Sequence, residues 1–203
     1  YPATASAYWL LNCVHRRHNG PNTLRELRSG LPRPDRYHRQ NNPGGNFQRY
    51  TLPSVKRELY FAEETLGAYK LSDFTARSGA SLEELMAKAV HLPIKDNHDK
   101  FVIVASRSHL SPETEDYIEK MKRCHSDVEL ISSGSSIKIC LVAEGKADVY
   151  PRFAPTMEWD TAAGHAIARA AGMEVYQAGK EEPLQYNKED LLNPWFIVEP
   201  RRN

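Results

Sequence analysis

The sequence predicts a layered α/β domain over residues 51–203. In this region short apolar runs typical of strands alternate with stretches of helical periodicity, and that alternation indicates a layered α/β architecture. Capping signals mark the starts of two of the helices. Hydrophobic residues make up 40% of the chain and charged residues 26%, as in ordinary globular proteins.

A hairpin and a short helix open the predicted domain. Residues 58–63 and 67–71 have the composition of two strands joined by a three-residue turn. Ser81, with Glu84 three residues later, forms a capping-box pattern that predicts a helix reaching about Val90. The apolar residues of this helix are spaced for packing on a core, which we favour over a partner-binding face.

The later elements continue the alternation. Residues 101–105 form a short apolar run of the kind found in buried strands. Ser111 followed by Pro112 predicts a helix start, because serine caps helices and proline fits their first position. This helix should reach about Arg123. The other predicted elements are strands at 128–131, 147–150, 173–177 and 196–199, and helices at 135–143 and 158–171.

The first 50 residues differ in character from the rest. They contain eight arginines, five prolines and six asparagines, whereas all eleven lysines lie further along the chain. They show neither helical nor strand periodicity, so we expect an atypical, poorly ordered segment. Two interpretations are open: a basic arm that contacts nucleic acid, or a stretch translated out of frame. The arm is the weaker interpretation, because its arginines belong to no known nucleic-acid-binding module.

The composition of the chain argues against several classes of protein. The net charge of +1 gives no general attraction to nucleic acid or to an acidic membrane. Cys13, Cys124 and Cys140 are too scattered for a disulfide framework or a zinc site, which fits a cytoplasmic location. No apolar run has the length of a membrane span, although a peripheral contact with the inner membrane stays open. The chain does not begin with Met, and we interpret it as a processed, trimmed or partial product.

The strongest local motif is Trp-Asp-Thr-Ala-Ala-Gly-His at 159–165. Asp160 lies at the opening of a predicted helix, where the positive end of the helix dipole keeps a carboxylate ionised and able to hold a hard cation. The small residues behind it allow another backbone to pack closely. The alternative is that Asp160 only favours the helix start.

Two further motifs carry positive charge at the ends of predicted elements. Ser135, Ser136 and Lys138 follow a glycine at a predicted helix start, a geometry suited to a phosphate or a ribose hydroxyl. Arg152 follows a predicted strand and suits bidentate phosphate binding. An ordinary serine cap, a solvated lysine and an exposed arginine are the alternatives.

His109 closes a Ser-Arg-Ser-His segment just after the apolar strand at 101–105. Ligands bind at strand ends in α/β sheets, although a single loop histidine is more often solvated. The sequence contains no Ser-His-Asp pattern, P-loop or dinucleotide glycine fingerprint.

Five segments in order carry a resemblance to a known family. They lie at 106–109, 134–138, 141–152, 159–165 and 192–196. One such segment is weak, but five in order are specific. Over about residues 52–198 the chain resembles the inositol monophosphatase superfamily of metal-dependent phosphatases, most closely its CysQ branch, the 3'(2'),5'-bisphosphate nucleotidases.

The resemblance implies an α/β layered sandwich, represented here mainly by its C-terminal half. It also implies magnesium-assisted hydrolysis of a phosphate monoester. The expected reaction removes the 3'-phosphate of adenosine 3',5'-bisphosphate to give AMP, which would clear a by-product of sulfate assimilation. The implied partner is therefore a small nucleotide substrate and not a nucleic acid.

The resemblance also assigns roles to site residues. The matching aspartate, Asp160, ligates the metal and lies against the substrate. The matching nucleotide-binding residues are His109 near the base, with Ser135, Ser136, Lys138 and Arg152. The inositol phosphatase branch usually carries an acid where this chain has Arg152. A second phosphate retained after cleavage would need positive charge, so Arg152 favours the nucleotidase.

The family's other metal ligands belong to Glu-Glu and Asp-Pro-(Ile/Leu)-Asp-Gly-Thr motifs upstream of the matching region, and residues 1–51 contain neither motif. Asp160 alone provides too few carboxylates for a stable two-metal site, so we expect weak magnesium binding and slow turnover or none. Composition and position favour the hypothesis that residues 12–50 are the family's sequence read out of frame, which the coding DNA would test. A catalytically inactive nucleotide-binding fragment and an inositol monophosphatase are the alternative functions.

Overall fold

The structure is a computed structural model that describes residues 58–63, 65–73, 81–94, 99–106, 110–134 and 137–202, and the backbone of residues 9–12. The predicted sites His109, Ser135 and Ser136 lie outside these described residues. The predicted boundary at residue 50 and the expected character of the segment before it stay predictions.

The first sheet is antiparallel throughout. Its strands, in spatial order, are β1 (Trp9–Asn12), β2 (Leu59–Glu63), β3 (Gly67–Leu71) and β4 (Val90–Leu92). The predicted β2–β3 hairpin is present, and Phe61 lies opposite Tyr69 in it. Every residue of β2 is buried, which explains its continuous apolar run.

The second sheet is mixed. Its parallel pair is β5 (Phe101–Ser106) with β6 (Val128–Ser133). Its antiparallel part has β9 (Phe196–Pro200) between β7 (Tyr150–Arg152) and β8 (Met173–Gln177). Ile103 in β5 forms a parallel bridge with Val149, and Val104 N–H donates to the Val149 carbonyl at 3.0 Å. The two parts therefore meet edge to edge beside β7.

Helix starts follow local capping chemistry. The helices are α1 (Leu82–Met86), α2 (Pro112–Cys124), α3 (Ile137–Glu144) and α4 (Glu158–Ala170). Ser81 caps α1 in a complete capping box with Glu84. Ser111 caps α2, and its hydroxyl accepts from Thr114 N–H at 3.3 Å. Both caps confirm the predicted starts.

The elements stack as alternating layers. Helices α3 and α4 lie between the two sheets: Ile167 packs with Tyr60 of the first sheet, whereas Ile139 packs with Val104 and Val198 of the second. Helix α1 packs on the outer face of the first sheet and α2 on the outer face of the second. The chain is therefore the layered α/β sandwich that the sequence predicts.

A glycine sets the distance between the two central helices. A Cβ on Gly164 in α4 would lie 3.0 Å from Ile139 Cδ1 and 3.2 Å from its Cβ in α3. Any larger side chain would push the helices apart, because protein interiors leave few voids to absorb it. The small residues after Asp160 therefore allow close helix packing, as the sequence indicates.

A buried ion cluster joins the first sheet to α3. Lys70 in β3 donates to Glu144 at the end of α3 and forms an ion pair with Glu58 at 2.8 Å. Glu144 is fully buried and Lys70 is 7% exposed. Burial alone would lower the pKa of Lys70, but the hydrogen bonds and charges of Glu144 and Glu58 raise it. The lysine is therefore held as a cation inside the sandwich.

Two element boundaries differ from the predictions by more than a residue or two, and one strand was not predicted. Helix α1 ends at Met86, because Val90–Leu92 pairs with β3 as a fourth strand. The strand predicted at 147–150 is shifted to β7 at Tyr150–Arg152, since β9 pairs with these residues. Strand β1 was not predicted, and it forms through pairing with β2. In each case long-range backbone pairing overrides the local pattern.

None of the helices in the described part of the chain is long and apolar enough to cross a membrane.

Candidate active site

Asp160 lies in the first turn of α4, as the sequence predicts. Its carboxylate is exposed and accepts a hydrogen bond from Met157 N–H at 2.9 Å. This bond satisfies one of the backbone donors left free at a helix start, and the helix dipole favours the negative charge there. The carboxylate is thereby oriented on a rigid element and still open to solvent.

A buried hydrogen-bond network fixes the start of α4 to the chain that follows β8. The Thr161 hydroxyl accepts from Tyr186 Oη at 3.2 Å and from Asn193 Nδ2 at 3.0 Å. His165 Nδ1 lies 2.9 Å from Tyr186 Oη, and His165 Nε2 lies 2.5 Å from Glu174 Oε1. These contacts hold the buried side of the helix that carries Asp160, so they restrict the position of Asp160.

Two acids of this region are committed to structure. Glu158 accepts from Asn187 N–H at 2.7 Å and forms an ion pair with Lys188. Burial would raise the pKa of Glu174, but hydrogen bonds from His165 and from the Val175 backbone lower it. Both carboxylates are therefore ionised and already satisfied, which leaves Asp160 as the accessible acid at this helix start.

Lys138 lies in the first turn of α3 and is buried, with 4% exposure. Its ammonium donates to the Ser133 carbonyl at 3.2 Å and lies 5.2 Å from the centre of the Tyr150 ring. Burial, with the nearby positive charge of Arg152, lowers the pKa of Lys138 to about 8. The structure therefore brings Lys138 and Arg152 within electrostatic reach, which their separation in the sequence did not reveal.

Arg152 ends β7 beside a cavity of about 140 Å³. Its Nη2 donates to the Pro155 carbonyl at 3.4 Å, while its Nε is buried and has no hydrogen-bond partner within the described structure. Ser106, Ser111 and Thr114 line the same cavity. An orphaned guanidinium donor is costly to bury, so an acceptor supplied by a ligand would satisfy it.

The sequence did not single out several residues that build this site. Thr161 and His165 lie in the quoted motif at 159–165, but no role was given to them. Glu174, Tyr186 and Asn193 come from distant parts of the chain, and only Asn193 lies within a quoted segment. The available signal was the presence of Thr161, His165 and Asn193 within the motifs at 159–165 and 192–196.

The described residues do not by themselves form a magnesium site. Across the described ranges, no group of three or more His, Cys, Asp or Glu side chains could hold a metal ion. A stable site for a hard divalent cation needs about six oxygen ligands, with carboxylates among them. Asp160 supplies one such carboxylate, and residues 1–57 contain only two acids, Glu26 and Asp35. No catalytic step through a metal follows from these residues.

The sequence matches the profile of the inositol monophosphatase family over residues 52–202, which is most of the chain. The chain belongs to this family. Members of the family are generally metal-dependent phosphatases, and the layered sandwich described above is its fold.

Similar proteins indicate the branch of the family to which this chain is most similar. The 3'(2'),5'-bisphosphate nucleotidase CysQ of Escherichia coli K12 is 40% identical over 126 residues, which cover 62% of this chain and 49% of the relative. CysQ of Buchnera aphidicola is 51% identical over 74 residues, covering 36% of this chain and 26% of the relative. This family member is therefore of the CysQ type, and the chain spans about half the length of the curated relatives it matches.

A solved structure also supports the CysQ type. The crystal structure of CysQ from Bacteroides thetaiotaomicron is 71% identical, with a TM-score of 0.71, and the match covers 73% of this chain and 56% of that one. Two structures of SaIMPase-II, one with 2'AMP and one with inositol monophosphate bound, are 19% identical with a TM-score of 0.47. Each covers 71% of this chain and 48% of its own.

Proposed function

We propose that this chain belongs to a magnesium-dependent 3'(2'),5'-bisphosphate nucleotidase that hydrolyses adenosine 3',5'-bisphosphate to AMP and phosphate. In this proposal Lys138 and Arg152 bind phosphate groups of the nucleotide, and Asp160 contributes one metal ligand. His109, Ser135 and Ser136 are proposed to complete the substrate contacts. The names of the CysQ relatives and the geometry of the cationic pair support it.

One observation carries the proposal: Arg152 borders a cavity with a buried donor that has no partner in the described structure, and its positive charge reaches Lys138. Burial and the nearby charge of Arg152 both disfavour the charged form of Lys138, and a bound anion would favour it. A phosphate is an anion of suitable size, and its oxygens accept hydrogen bonds from guanidinium and ammonium donors.

Arginine at position 152 favours a bisphosphate nucleotide over an inositol phosphate. An inositol ring presents hydroxyl groups, which a carboxylate would accept well. A nucleoside bisphosphate instead carries a second phosphate that stays after cleavage and needs positive charge. Arg152 and Lys138 supply that charge, whereas Glu158 and Glu174, the buried acids near Asp160, are already engaged.

Magnesium, when bound, would neutralise the transferred phosphoryl group and activate the attacking water. Residues of this chain have separate tasks in the proposal. Lys138 and Arg152 hold and orient the nucleotide, and the network of Thr161, His165 and Glu174 keeps the start of α4 in place. The remaining metal ligands would have to come from outside the described residues.

A second candidate function is nucleotide binding without turnover. The absence of a metal-binding cluster from the described residues favours it, because the cationic pair does not depend on such a cluster. The two candidates share the substrate and differ in whether phosphate is released.

Phosphate release from adenosine 3',5'-bisphosphate, with and without magnesium, tests the proposal. Wild-type protein, Asp160→Ala and the control Asp116→Ala, an exposed acid on α2, should be compared. Release that needs both magnesium and Asp160, but not Asp116, supports the nucleotidase. Binding without release supports the second candidate, and neither binding nor release contradicts both.

A further inference from the structure

Three aromatic side chains from separate elements meet beside the cavity. The Phe153 ring, just after β7, lies 5.7 Å from the Tyr117 ring of α2 and 5.8 Å from the Trp195 ring, measured between centres. Their planes are inclined at 67° and 55°. Trp195 is 45% exposed, which is unusual for a side chain of this size. The cluster therefore presents an aromatic surface to solvent.

Phe153 is fixed from two sides. The Ser111 hydroxyl at the start of α2 donates to the Phe153 carbonyl at 3.1 Å. The Tyr117 ring packs against it edge-on, and burial raises the pKa of Tyr117 to about 12, so its phenol stays neutral at ordinary pH. A side chain held by its backbone and by a neighbouring ring costs little further entropy on binding a ligand.

Phe153 borders the same cavity as Arg152, its neighbour in the chain. The cavity, at about 140 Å³, is much smaller than the ~300–1,000 Å³ of a typical small-molecule pocket. It can therefore hold one part of a nucleotide, and the rest must extend along its rim. Phe153 lines the cavity beside Arg152, and the Trp195 ring packs against Phe153.

We propose that Phe153 and Trp195 form the surface on which the nucleotide base stacks, so that this site selects nucleotides over phosphates without a base. The inference rests on the proposed function, since it assumes that Arg152 binds the nucleotide's phosphate. Stacking on aromatic side chains tolerates any base because every base has a π-face. Each stacked base strengthens binding roughly 5- to 150-fold.

The test compares AMP with ribose 5-phosphate, which lacks only the base. Dissociation constants should be measured by calorimetry in EDTA for wild type, Phe153→Leu, Phe153→Tyr and Trp195→Leu. The control is Phe101→Leu, since Phe101 stacks on His125 at the opposite end of β5 from the cavity.

Wild type should bind AMP at least fivefold more tightly than ribose 5-phosphate. Phe153→Leu and Trp195→Leu should remove most of that difference and leave the affinity for ribose 5-phosphate unchanged, while Phe153→Tyr and the Phe101 control retain it. The wild-type comparison needs no variant to fold. Equal wild-type affinities for AMP and ribose 5-phosphate would contradict the base-stacking surface but not the phosphate site. An equal effect of Phe153→Leu on both ligands would contradict it in the same way. Absence of binding by both ligands overturns the inference and the proposed function together.

Discussion

Two buried lysines, Lys70 and Lys138, have opposite electrostatic surroundings. Lys70 contacts the carboxylates of Glu144 and Glu58, and its pKa is raised. Lys138 lies in the first turn of a helix beside Arg152, and its pKa falls to about 8. Carboxylates therefore favour the charged form of the first lysine, whereas burial and a neighbouring cation disfavour that of the second. The same residue type thus joins a sheet to a helix in one region and contributes to the proposed binding site in the other.

The largest expected effect lies in the structural region. Glu144→Ala leaves the Lys70 ammonium buried without its main partner, which should cost about 3–5 kcal/mol of unfolding free energy. Urea denaturation followed by circular dichroism measures this loss. The control is Glu119→Ala, which removes an exposed ion pair with Lys122 and should cost less than about 1 kcal/mol. Similar losses for both variants would mean that the Lys70 cluster is not structural.

Lys138→Met should have the opposite effects: little loss of stability and a large loss of nucleotide affinity. Removal of a partly desolvated cation should change the unfolding free energy by no more than about 1 kcal/mol, the net value of one hydrogen bond. Binding of adenosine 3',5'-bisphosphate should weaken by about 1.5–3 kcal/mol, or roughly 10- to 150-fold, because a charge-assisted contact is lost. Calorimetry measures the affinity, with the exposed Lys180→Met as control. Unchanged affinity would remove Lys138 from the binding site.

The depressed pKa of Lys138 predicts a pH dependence. Below about pH 8 the ammonium is charged and attracts phosphate, and above it the free protein loses this proton. Nucleotide affinity should therefore fall by up to about tenfold per pH unit above pH 8. The phosphate itself has its second pKa near 6, so its charge is nearly constant in this window. The dependence should disappear in Lys138→Met, and its survival there would assign it to another group.

The smallest expected effect concerns Asp160. Asp160→Ala removes the acceptor for Met157 N–H and a favourable charge at the helix start, which should cost about 1 kcal/mol of stability. Affinity for adenosine 3',5'-bisphosphate in EDTA should be unchanged or slightly higher, because a negative charge is removed. A large loss of nucleotide affinity without metal would mean that Asp160 contacts the substrate directly.

Local chemistry explains which parts of the fold the sequence could predict. The starts of α1 and α2 were predicted correctly because Ser81 and Ser111 cap their own helices within a few residues. The end of α1 was wrong because Val90–Leu92 joins β3, a pairing between chain segments about 20 residues apart. Strand β1 was missed for the same reason, since its partner lies about 50 residues away.

The features of the candidate site likewise separate into those that local sequence could predict and those that depend on packing. Asp160 could be predicted because a motif places it at a helix start, and the structure keeps it there. The family resemblance placed Lys138 and Arg152 on the same nucleotide, but the burial of Lys138 could not be predicted, because it depends on how α3 packs against β7. The aromatic cluster around Phe153 was not predicted either, since its three rings come from separate elements.

The central claim is that Lys138 and Arg152 form an anion site that needs no metal. The most direct test is calorimetric titration of the protein with adenosine 3',5'-bisphosphate in EDTA, for wild type, Arg152→Ala and the exposed control Arg123→Ala. The account predicts binding by wild type and Arg123→Ala, and at least tenfold weaker binding by Arg152→Ala. Equal affinities for all three proteins, or no binding by wild type, would contradict it.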